Sequence, residues 1–519
     1  MSRFHDAMSY PLSVQFKHGF NGHPSFYFID PYSALAFYVG GQWAVGHFVV
    51  SMLSHGTVRR MAPVERHGMA LLLGLFLTNL PAVWLFLAGY KLTLWMWLIP
   101  AACGFALVAA SGAAWRALVP MGGRIGGSRP SSSVPITERL MARMAAFTTL
   151  TLFAWVVWTA RTTITTDYDG LAIWSYRTRV LVQEAVFRTP SLLDPVRLVP
   201  MAHHPYLLPV MESGFCHVLR QFRFAFTHIP HVMAYGAYLL IGWGAAGALR
   251  RRHLGRGWLM VACLPLLPGA AEQVAAESVR EPIMGFFGLA AVVSLARWAE
   301  SPRLGHAVLA ALFAIGAQQI KVEGMALAAG VGVGGLLVAL AAPTRAAAGG
   351  RTKRLRDWAI AVAIAGVIAT PWALALRTIP PSSHSYSFGV HARPNLSALV
   401  AGVPAAARLL LTELFARPEV YGLAPFCLVW GLWGGWSRRN AVVRLALLAG
   451  PMAVLVPVMV VYLDRQGLLP ADRNVTFSRR IMVAFPALAF AALYLPRTTG
   501  GRYSAAPSRA IASSRIKSP

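Results

Sequence analysis

The feature that most constrains this chain is its repetition of long apolar blocks separated by polar connections. Residues 68–88 and 92–115 are examples, and each approaches the ~20 residues with which an α-helix crosses a bilayer. Only 13% of the 519 residues are charged and 56% are hydrophobic, whereas a soluble domain has about 25% charged residues. The sequence therefore predicts a polytopic membrane protein.

The apolar blocks predict an all-α transmembrane bundle of about 12–13 spans. The predicted spans are 32–54, 68–88, 92–115, 144–162, 231–249, 258–270, 283–299, 305–318, 325–342, 358–377, 421–436, 442–462 and 481–495. The polar sequence Q-Q-I-K-V-E-G interrupts the apolar stretch 305–342. We therefore expect two helices that meet at a membrane face and place Lys321 and Glu323 at a surface. Residues 1–30 lack the apolar core of a cleavable signal peptide.

Basic residues concentrate on alternate connections, as the positive-inside rule describes for cytoplasmic loops. The basic clusters are at 59–66, 124–143, 250–256, 345–356 and 438–444. The net charge of +28 therefore indicates topology, and a nucleic-acid partner is not expected. The same count assigns four polar segments to the noncytoplasmic face: 163–230, the turn at Lys321, 378–418 and 463–480.

Other composition signals exclude several classes of function. The four cysteines are isolated and three lie inside apolar blocks, which supports neither a disulfide framework nor a cysteine metal motif. The chain contains no P-loop and no dinucleotide fingerprint, so ATP-driven transport and hydride transfer lack support.

The first long polar connection carries the densest polar chemistry of the chain. It begins T-I-T-T-D-Y-D-G-L-A-I-W-S-Y-R-T-R and ends H-H-P-Y-L-L-P-V-M-E. Asp167 and Asp169 closely follow an apolar block, and residues i and i+2 of an extended segment share a face, so both carboxylates can point at one ligand. Such carboxylates can serve as a general base or share a divalent cation, Mg²⁺ or Mn²⁺, with a phosphate. Asp169 also fits the N-cap of a following helix.

Residues 171–188 have helical spacing, with apolar faces separated by polar strips that carry Arg177 and Arg179. This pattern fits an interfacial helix with solvated charges. It also fits an anion site, because five cations stand on the face where the positive-inside bias disfavours them. They are Arg177, Arg179, Lys321, Arg479 and Arg480.

Two further polar groups flank this connection. His203 and His204 precede Pro205, whose ring biases His204 towards extended geometry. Their imidazoles can donate hydrogen bonds or bind a metal beside the acids, and the turn equally fits a structural role. Glu212 fits an interface residue or a site residue. The sequence R-E-P at 280–282 fits a solvated helix end with local ion pairing.

Five motifs follow one another along residues 144–495: D-Y-D-G-L-A-I-W-S-Y-R-T-R, H-H-P-Y-L-L-P-V-M-E, R-E-P-I-M-G-F-F, K-V-E-G and S-R-R-I-M-V-A-F-P. In this order they resemble bacterial GT-C glycosyltransferases of the dolichyl-phosphate-mannose mannosyltransferase and aminoarabinose transferase type. Members of that family take a sugar from a polyprenyl phosphate and pass it to an acceptor on the noncytoplasmic face, usually with inversion.

The resemblance implies that Asp167 is the acid of the first large external loop, the usual candidate base, with Asp169 beside it. It also implies that Trp174 and Arg177 match the W-x-x-K/R segment that follows this acid. In the family this loop commonly follows the first transmembrane helix, whereas here about three additional predicted spans precede the helix that leads into the loop.

The later motifs match in the same way. His204 and Tyr206 match a turn of the type H-P-x-Y-P-L-L-x-P, although its second proline is absent here. The K-V-E-G sequence at 321–324 matches K-x-E-G, and Arg479 or Arg480 matches a late basic residue placed for a lipid phosphate.

These features predict three parts of the chain. Residues 1–143 carry additional transmembrane helices, 144–495 form a GT-C-like catalytic region with the external loop 163–230, and 496–519 form a basic, disordered cytoplasmic tail. The predicted external loop carries short interfacial helices.

The expected function is a glycosyltransferase of the bacterial inner membrane whose site faces the periplasm or the exterior. Its expected partners are a polyprenyl-phosphate sugar donor, a glycan, lipid or protein acceptor, and membrane lipids. The same cations also fit a transporter or flippase of an anionic lipid-linked saccharide. A noncatalytic membrane scaffold is a third interpretation, and it would tolerate substitution of both aspartates.

Overall fold

The structure is a computed structural model that describes most of the chain. The described residues are 31–54, 61–112, 136–162, 175–187, 189, 204–219, 222–250, 254–263, 271–277, 280–341, 349–379, 438–464, 483–494 and isolated positions between 404 and 432. Over these residues every regular element is a helix, and no strand occurs. The predicted all-α class is therefore confirmed.

The helices are named here in chain order. The first seven are α1 Pro31–Leu53, α2 Pro63–Leu87, α3 Trp95–Ala110, α4 Ile136–Thr162, α5 Tyr176–Gln183, α6 Leu207–Leu219 and α7 Ile229–Arg250. They are followed by α8 Leu254–Cys263, α9 Glu281–Glu300, α10 Leu304–Ile320, α11 Gly324–Ala341, α12 Gly349–Leu376, α13 Arg438–Asp464 and α14 Val483–Leu493. A short helical turn, Phe224–Thr227, precedes α7, and a π-helical turn, Gln273–Glu277, precedes α9.

Five helical segments are long and apolar enough to cross a membrane, by length and composition, among the residues that the structure describes. They are Pro63–Leu87, Ile136–Thr162, Phe224–Arg250, Glu281–Glu300 and Gly350–Leu376. Shorter apolar helices, including α3, α10 and α11, accompany them. These helices are compatible with a membrane protein, and the predicted number of about 12–13 spans stays a prediction.

The bundle is built around α9, while α4 and α12 lie at its periphery. In the most apolar 18-residue window of each helix, 89% of the residues are buried in α9, against 11% in α4 and 22% in α12. A helix that is apolar all round and buried all round belongs at the centre of a large core, whereas exposed apolar faces on long helices suit a lipid environment. Leu150, Trp158 and Val367 are such exposed apolar side chains.

Small residues let α1 and α2 approach each other closely. A Cβ atom added to Gly46 would lie 1.8 Å from the Ala70 carbonyl oxygen, and one added to Gly74 would lie 1.8 Å from the Gln42 carbonyl oxygen. Close backbone contact through glycine is a common mode of helix packing in membranes. The hydrophobic effect does not drive helices together in lipid, so van der Waals contacts between them stabilise the packing instead. The pair α1 and α2 therefore packs as one unit.

Ionic side chains join the helices at one end of the bundle, which we call the arginine end. Glu65 at the start of α2 accepts hydrogen bonds from Arg297 in the last turn of α9, with a shortest distance of 2.6 Å between Arg297 Nη2 and Glu65 Oε2. Arg250 at the end of α7 lies 3.7 Å from Glu138 at the start of α4. The basic connections that the sequence assigns to one face thus meet in space, and their cytoplasmic sidedness stays a prediction.

The break between α10 and α11 falls where the sequence predicts it, between Ile320 and Gly324. The expected surface position of this break is wrong. Lys321 is only 6% exposed and Glu323 only 9%, because the turn packs against the start of α9 and the segment before α6. The predicted division at residue 143 stays a prediction, and α2 packs directly on α7.

Candidate functional site

A buried polar cluster lies at the end of the bundle opposite the arginine end. It is formed by the segments that the motifs single out: α5, the turn before α6, the start of α9 and the break between α10 and α11. We define the polar cluster as Arg177, His204, Tyr206, Arg280, Glu281, Lys321 and Glu323, all of them buried. α4 leads from Glu138 at the arginine end and ends at Thr162, shortly before Asp167 in the chain.

Arg177 joins α5 to the turn before α6. Its side chain is fully buried, at 0% exposure, and its Nη2 donates a hydrogen bond of 3.0 Å to the His204 carbonyl oxygen. Its guanidinium carbon lies 4.1 Å from the centre of the Tyr206 ring, within the range of a cation–π interaction. The expected interfacial helix with solvated charges is therefore wrong at this position, because the charge is paired inside the protein.

The helix that carries Arg177 is shorter than the sequence predicts. Among the described residues of 171–188, α5 covers only Tyr176–Gln183. Ala185 has a φ of 57°, a left-handed conformation that ends a helix, and its carbonyl oxygen accepts a hydrogen bond of 2.8 Å from the Leu92 backbone nitrogen. The α2–α3 connection therefore fixes the point at which α5 stops.

Arg280 ties together two of the connections. Its Nη1 donates to the carbonyl oxygens of Pro205 at 3.3 Å and of Ile320 at 3.1 Å. The first of these lies just before α6 and the second is the last residue of α10. A fully buried guanidinium group thus donates hydrogen bonds to carbonyl groups at helix ends that would otherwise lack this donor. The solvated helix end expected at 280–282 is wrong for this reason.

Lys321 lies between two carboxylates. Its Nζ donates a short hydrogen bond to Glu281 Oε1 and lies 3.7 Å from Glu323 Oε1. A buried charge is stable only when it is paired with an opposite charge and hydrogen-bonded. The Lys321 ammonium group has both, because Glu281 accepts its hydrogen bond and Glu323 lies close by.

His204 links the turn before α6 to the K-V-E-G turn. Its Nδ1 accepts a hydrogen bond of 3.4 Å from the Val322 backbone nitrogen, so Nδ1 carries no proton. Burial lowers the pKa of His204 well below its usual range; Glu323 opposes this shift, and Lys321, Arg280 and Arg177 add to it. The imidazole is therefore neutral at ordinary pH.

A second buried group, which we call the Glu212 clasp, joins three helices beside the polar cluster. Glu212 on α6 accepts a short hydrogen bond from the Thr178 hydroxyl of α5. Its other oxygen lies 2.8 Å from His231 Nε2 in the first turn of α7. One carboxylate therefore fixes the mutual positions of α5, α6 and α7.

The charges of the two groups balance one another. The cations are Arg177, Arg280 and Lys321, and the acids are Glu212, Glu281 and Glu323. Glu212 and Glu281 both interact electrostatically with Arg280. Because three acids offset three cations, the polar cluster and the Glu212 clasp have no net positive charge, and the positive charge that attracts an anion has to come from other side chains such as Arg179.

No family model, no curated protein and no solved structure matches this chain. The function is therefore inferred from the residues of the site and from the order of the motifs.

The structure brings five of the predicted site residues together and places a sixth nearby. Arg177, His204, Tyr206, Lys321 and Glu323 belong to the polar cluster. Arg179 lies two residues after Arg177 on α5 and is half-buried. The remaining predicted site residues lie outside the described residues: Asp167, Asp169, Trp174, His203, Arg479 and Arg480.

The predicted metal ligands, Asp167 and Asp169, are among those undescribed residues. Within the described part of the chain, no group of three or more histidine, cysteine, aspartate and glutamate side chains is arranged to hold a metal ion. The expected divalent cation therefore stays a prediction that concerns the two aspartates alone.

Four residues of this region were not predicted as site residues: Arg280, Glu281, Thr178 and His231. Arg280 carried a usable signal, because it begins R-E-P-I-M-G-F-F, the third of the five motifs in chain order. Thr178 and His231 carried none, since a threonine inside a helix and a histidine at a helix start are common for many reasons.

Proposed function

We propose that this protein is a GT-C-like glycosyltransferase that moves a sugar from a polyprenyl-phosphate donor to an acceptor at the noncytoplasmic face of the membrane. The observation that supports it most is the double role of His204. Its carbonyl oxygen accepts a hydrogen bond from Arg177 and its Nδ1 accepts one from Val322. Three of the motifs that underlie the resemblance thus meet at a single residue.

The proposed reaction uses Asp167 as the general base. Its carboxylate takes the proton of the acceptor hydroxyl, and the acceptor oxygen attacks the anomeric carbon of the donor sugar. The bond from that carbon to the phosphate oxygen breaks, and the polyprenyl phosphate leaves with the electron pair. Attack opposite the leaving group inverts the anomeric centre. A base positioned in this way typically contributes about 10²–10⁴-fold to the rate.

The cations divide into two roles in this proposal. Arg177, Arg280 and Lys321 hold the turns of the site in place, because each is buried and bonded within the protein. Arg179, Arg479 and Arg480 contact the phosphate of the donor and stabilise the charge that develops on it as it leaves. Asp167 and Asp169 would hold a divalent cation, if the reaction uses one, and such an ion would offset phosphate charge.

The polyprenyl donor is consistent with the setting of the site. Its hydrocarbon tail stays in the bilayer, beside long helices with exposed apolar faces such as α4 and α12. Its phosphate lies at the helix ends, where polar side chains gather. A localisation in the bacterial inner membrane, with the polar cluster towards the periplasm or exterior, belongs to the same proposal.

The test is sugar transfer by membranes that carry Asp167→Asn at the same protein level as the wild type. We expect a loss of about 10²–10⁴-fold in the transfer rate. Mass spectrometry of envelope glycans and lipids, with and without the protein, identifies the sugar that is missing. Transfer at the wild-type rate would remove Asp167 as the base. Movement of labelled lipid between leaflets, with its sugar–phosphate bond intact, would instead indicate a flippase.

A further inference from the structure

Helix α6 is contacted on two sides. The Glu212 clasp lies on one side, and the N-terminal helices α1, α2 and α3 pack near the other. We propose that α1, α2 and α3 form a positioning wall for the site, with Trp97 as its central positioning residue. This inference rests on the proposed function, and it gives the additional N-terminal helices a role in setting the position of Glu212 and of α5.

The tightest contact of the wall is at Gly214 of α6. A Cβ atom added there would lie 2.6 Å from Trp97 Nε1 and 2.6 Å from the Tyr38 hydroxyl oxygen. Real Cβ atoms essentially never approach other heavy atoms so closely. Only glycine lets α6 approach α1 and α3 to this distance, so the spacing between wall and helix is set by the absence of a side chain.

Trp97 is itself fixed by polar contacts within the wall. Its Nε1 donates a hydrogen bond of 2.9 Å to Asn79 Oδ1, and Asn79 Nδ2 donates one of 2.7 Å to the Leu75 carbonyl oxygen. Its indole stacks on the ring of His217 of α6, with a centroid distance of 5.0 Å and an interplanar angle of 17°. α2, α3 and α6 are thereby joined through one buried side chain.

Other contacts extend the wall along the site. The Tyr38 hydroxyl of α1 donates a hydrogen bond of 3.3 Å to the Met211 carbonyl oxygen, next to Glu212. The ring of Phe86, at the end of α2, lies 5.4 Å from that of Tyr206 in the polar cluster. Together with the bond from the Leu92 nitrogen to the Ala185 carbonyl oxygen, these contacts reach both α6 and the end of α5.

A displacement of α6 would therefore reach the predicted phosphate-binding residue Arg179. The Glu212 carboxylate moves with α6, and its bond to Thr178 transmits the movement to α5, which carries Arg179 one residue further on. Misplacement of a reacting group by about 1 Å can cost about 100-fold in rate. The wall thus controls the geometry of the site without contacting the substrate.

The first test is Gly214→Ala in the full-length protein. We expect kcat for transfer to fall by about 100-fold and KM for the donor to rise by less than the tenfold expected of Arg179→Ala, because Arg179 is displaced and not removed. Tyr38→Phe with Trp97→Phe in the same chain removes the two atoms that lie closest to the new methyl group, and we expect kcat to recover in part, by about tenfold. Gly247→Ala on α7 is the matched control, because a Cβ atom there meets nothing within 4 Å.

A reporter that is independent of activity lies in the same helix. Cys216 is fully buried, and its labelling by a maleimide can be followed with Cys103, Cys263 and Cys427 replaced by serine. We expect Gly214→Ala to raise the labelling rate by about tenfold, and the two phenylalanine substitutions to lower it again. Gly247→Ala should leave it unchanged.

The two measurements on Gly214→Ala, the transfer rate and the labelling rate of Cys216, decide whether the wall positions α6. If Gly214→Ala leaves both the transfer rate and the labelling rate of Cys216 unchanged, the wall does not position α6. If Gly214→Ala fails to fold, Trp97→Phe replaces it, and a fall in kcat larger than the rise in KM is again the expected result. If the wild-type protein transfers no sugar, the proposed function fails, and the labelling rates still decide whether the wall holds α6.

Discussion

The guanidinium group of Arg177 lies over the ring of Tyr206, with 4.1 Å between its central carbon and the ring centre. The same side chain donates to the His204 carbonyl oxygen and is closed off from solvent. Arg179, which follows on the same short helix, is only half-buried. Two arginines two positions apart therefore have different environments, which predicts different consequences of their removal.

The first prediction separates these two arginines. Arg177→Ala removes a buried cation from between a carbonyl oxygen and an aromatic face, so the free energy of unfolding should fall by about 3 kcal/mol. Arg179→Ala should leave the melting temperature unchanged and raise KM for the lipid donor about tenfold, because a charged hydrogen bond to the phosphate is lost. Thermal melting in detergent and transfer kinetics measure the two effects.

Arg177→Lys is the control for this pair. A lysine keeps the charge but loses the planar group that stacks on Tyr206, so its melting temperature should lie between those of wild type and Arg177→Ala. A stable Arg177→Ala protein with a raised KM would reverse the assignment and make Arg177 the phosphate ligand.

The second prediction concerns the buried pair of Lys321 and Glu281. Glu281→Gln removes the closer of the two carboxylates beside Lys321, and Lys321→Met removes the ammonium group that lies between them, so each should lower the free energy of unfolding by about 3 kcal/mol. The double variant should be more stable than the sum of the two losses predicts, because the interaction between Lys321 and Glu281 is lost only once. Denaturation of the four proteins in one detergent gives the coupling energy.

Glu323 sets the size of this coupling, since its carboxylate also lies 3.7 Å from Lys321. Repeating the cycle in a Glu323→Gln background should increase the measured coupling between Lys321 and Glu281. Additive losses in both backgrounds would show that the pair contributes no specific interaction.

The sequence was sufficient to predict the helices because their signal is strong and local. Long apolar blocks predicted α9 to within two residues at each end and the last residues of α2, α4 and α12 to within one residue, whereas these three helices begin five to nine residues before the predicted starts. The polar interruption predicted the break at Lys321. The burial of charged residues at helix ends was predicted wrongly. Charged residues such as Arg280 at predicted helix ends were expected to be solvated, because a sequence does not show which helix ends pack against one another.

The site shows the same division between local and tertiary information. The cations on the predicted noncytoplasmic face pointed to Arg177 and Lys321, and the structure joins their segments through His204. For the acids that neutralise them, the sequence left Glu212 open between an interface residue and a site residue, and it favoured a solvated helix end for Glu281. Their pairing depends on contacts between helices far apart in sequence, and periodicity and spacing do not encode these contacts.

The third prediction is a loss of stability in acid through His204. Its pKa is lowered by burial, while the unfolded chain titrates near the usual value of about 6.5. Below that pH the unfolded state binds more protons than the folded state, so this contribution to stability is complete above about pH 6.5 and is lost as the pH falls, at up to about 1.4 kcal/mol per pH unit. His204→Asn should reduce that slope.

Unfolding free energies at pH 7.5 and 5.5 measure this effect in wild type and variant. The difference between the two proteins isolates His204 from the other buried histidines, which titrate in both. Equal slopes would mean that His204 does not resist protonation in the fold, despite Lys321, Arg280 and Arg177 beside it.

The fourth prediction is the sidedness of the two ends of the bundle. Tyr90 follows α2 at the end that carries the polar cluster and is 62% exposed. Lys353 is exposed in the first turns of α12, whose other end brings Trp372 to 5.9 Å from Tyr206. The two positions therefore lie at opposite ends, and the positive-inside bias assigns Lys353 to the cytoplasm.

Single cysteines at these positions test the assignment, in a chain whose native cysteines are replaced by serine because Cys103 is exposed. An impermeant maleimide should label Tyr90→Cys in intact cells and Lys353→Cys only after the membrane is opened. Both proteins should label equally in detergent, which controls for thiol reactivity. Labelling of Lys353→Cys alone in intact cells would place the polar cluster in the cytoplasm. A donor whose phosphate is presented at the outer leaflet could not then reach it, and the proposed transfer at the noncytoplasmic face would be lost together with the roles of Asp167 and Arg179.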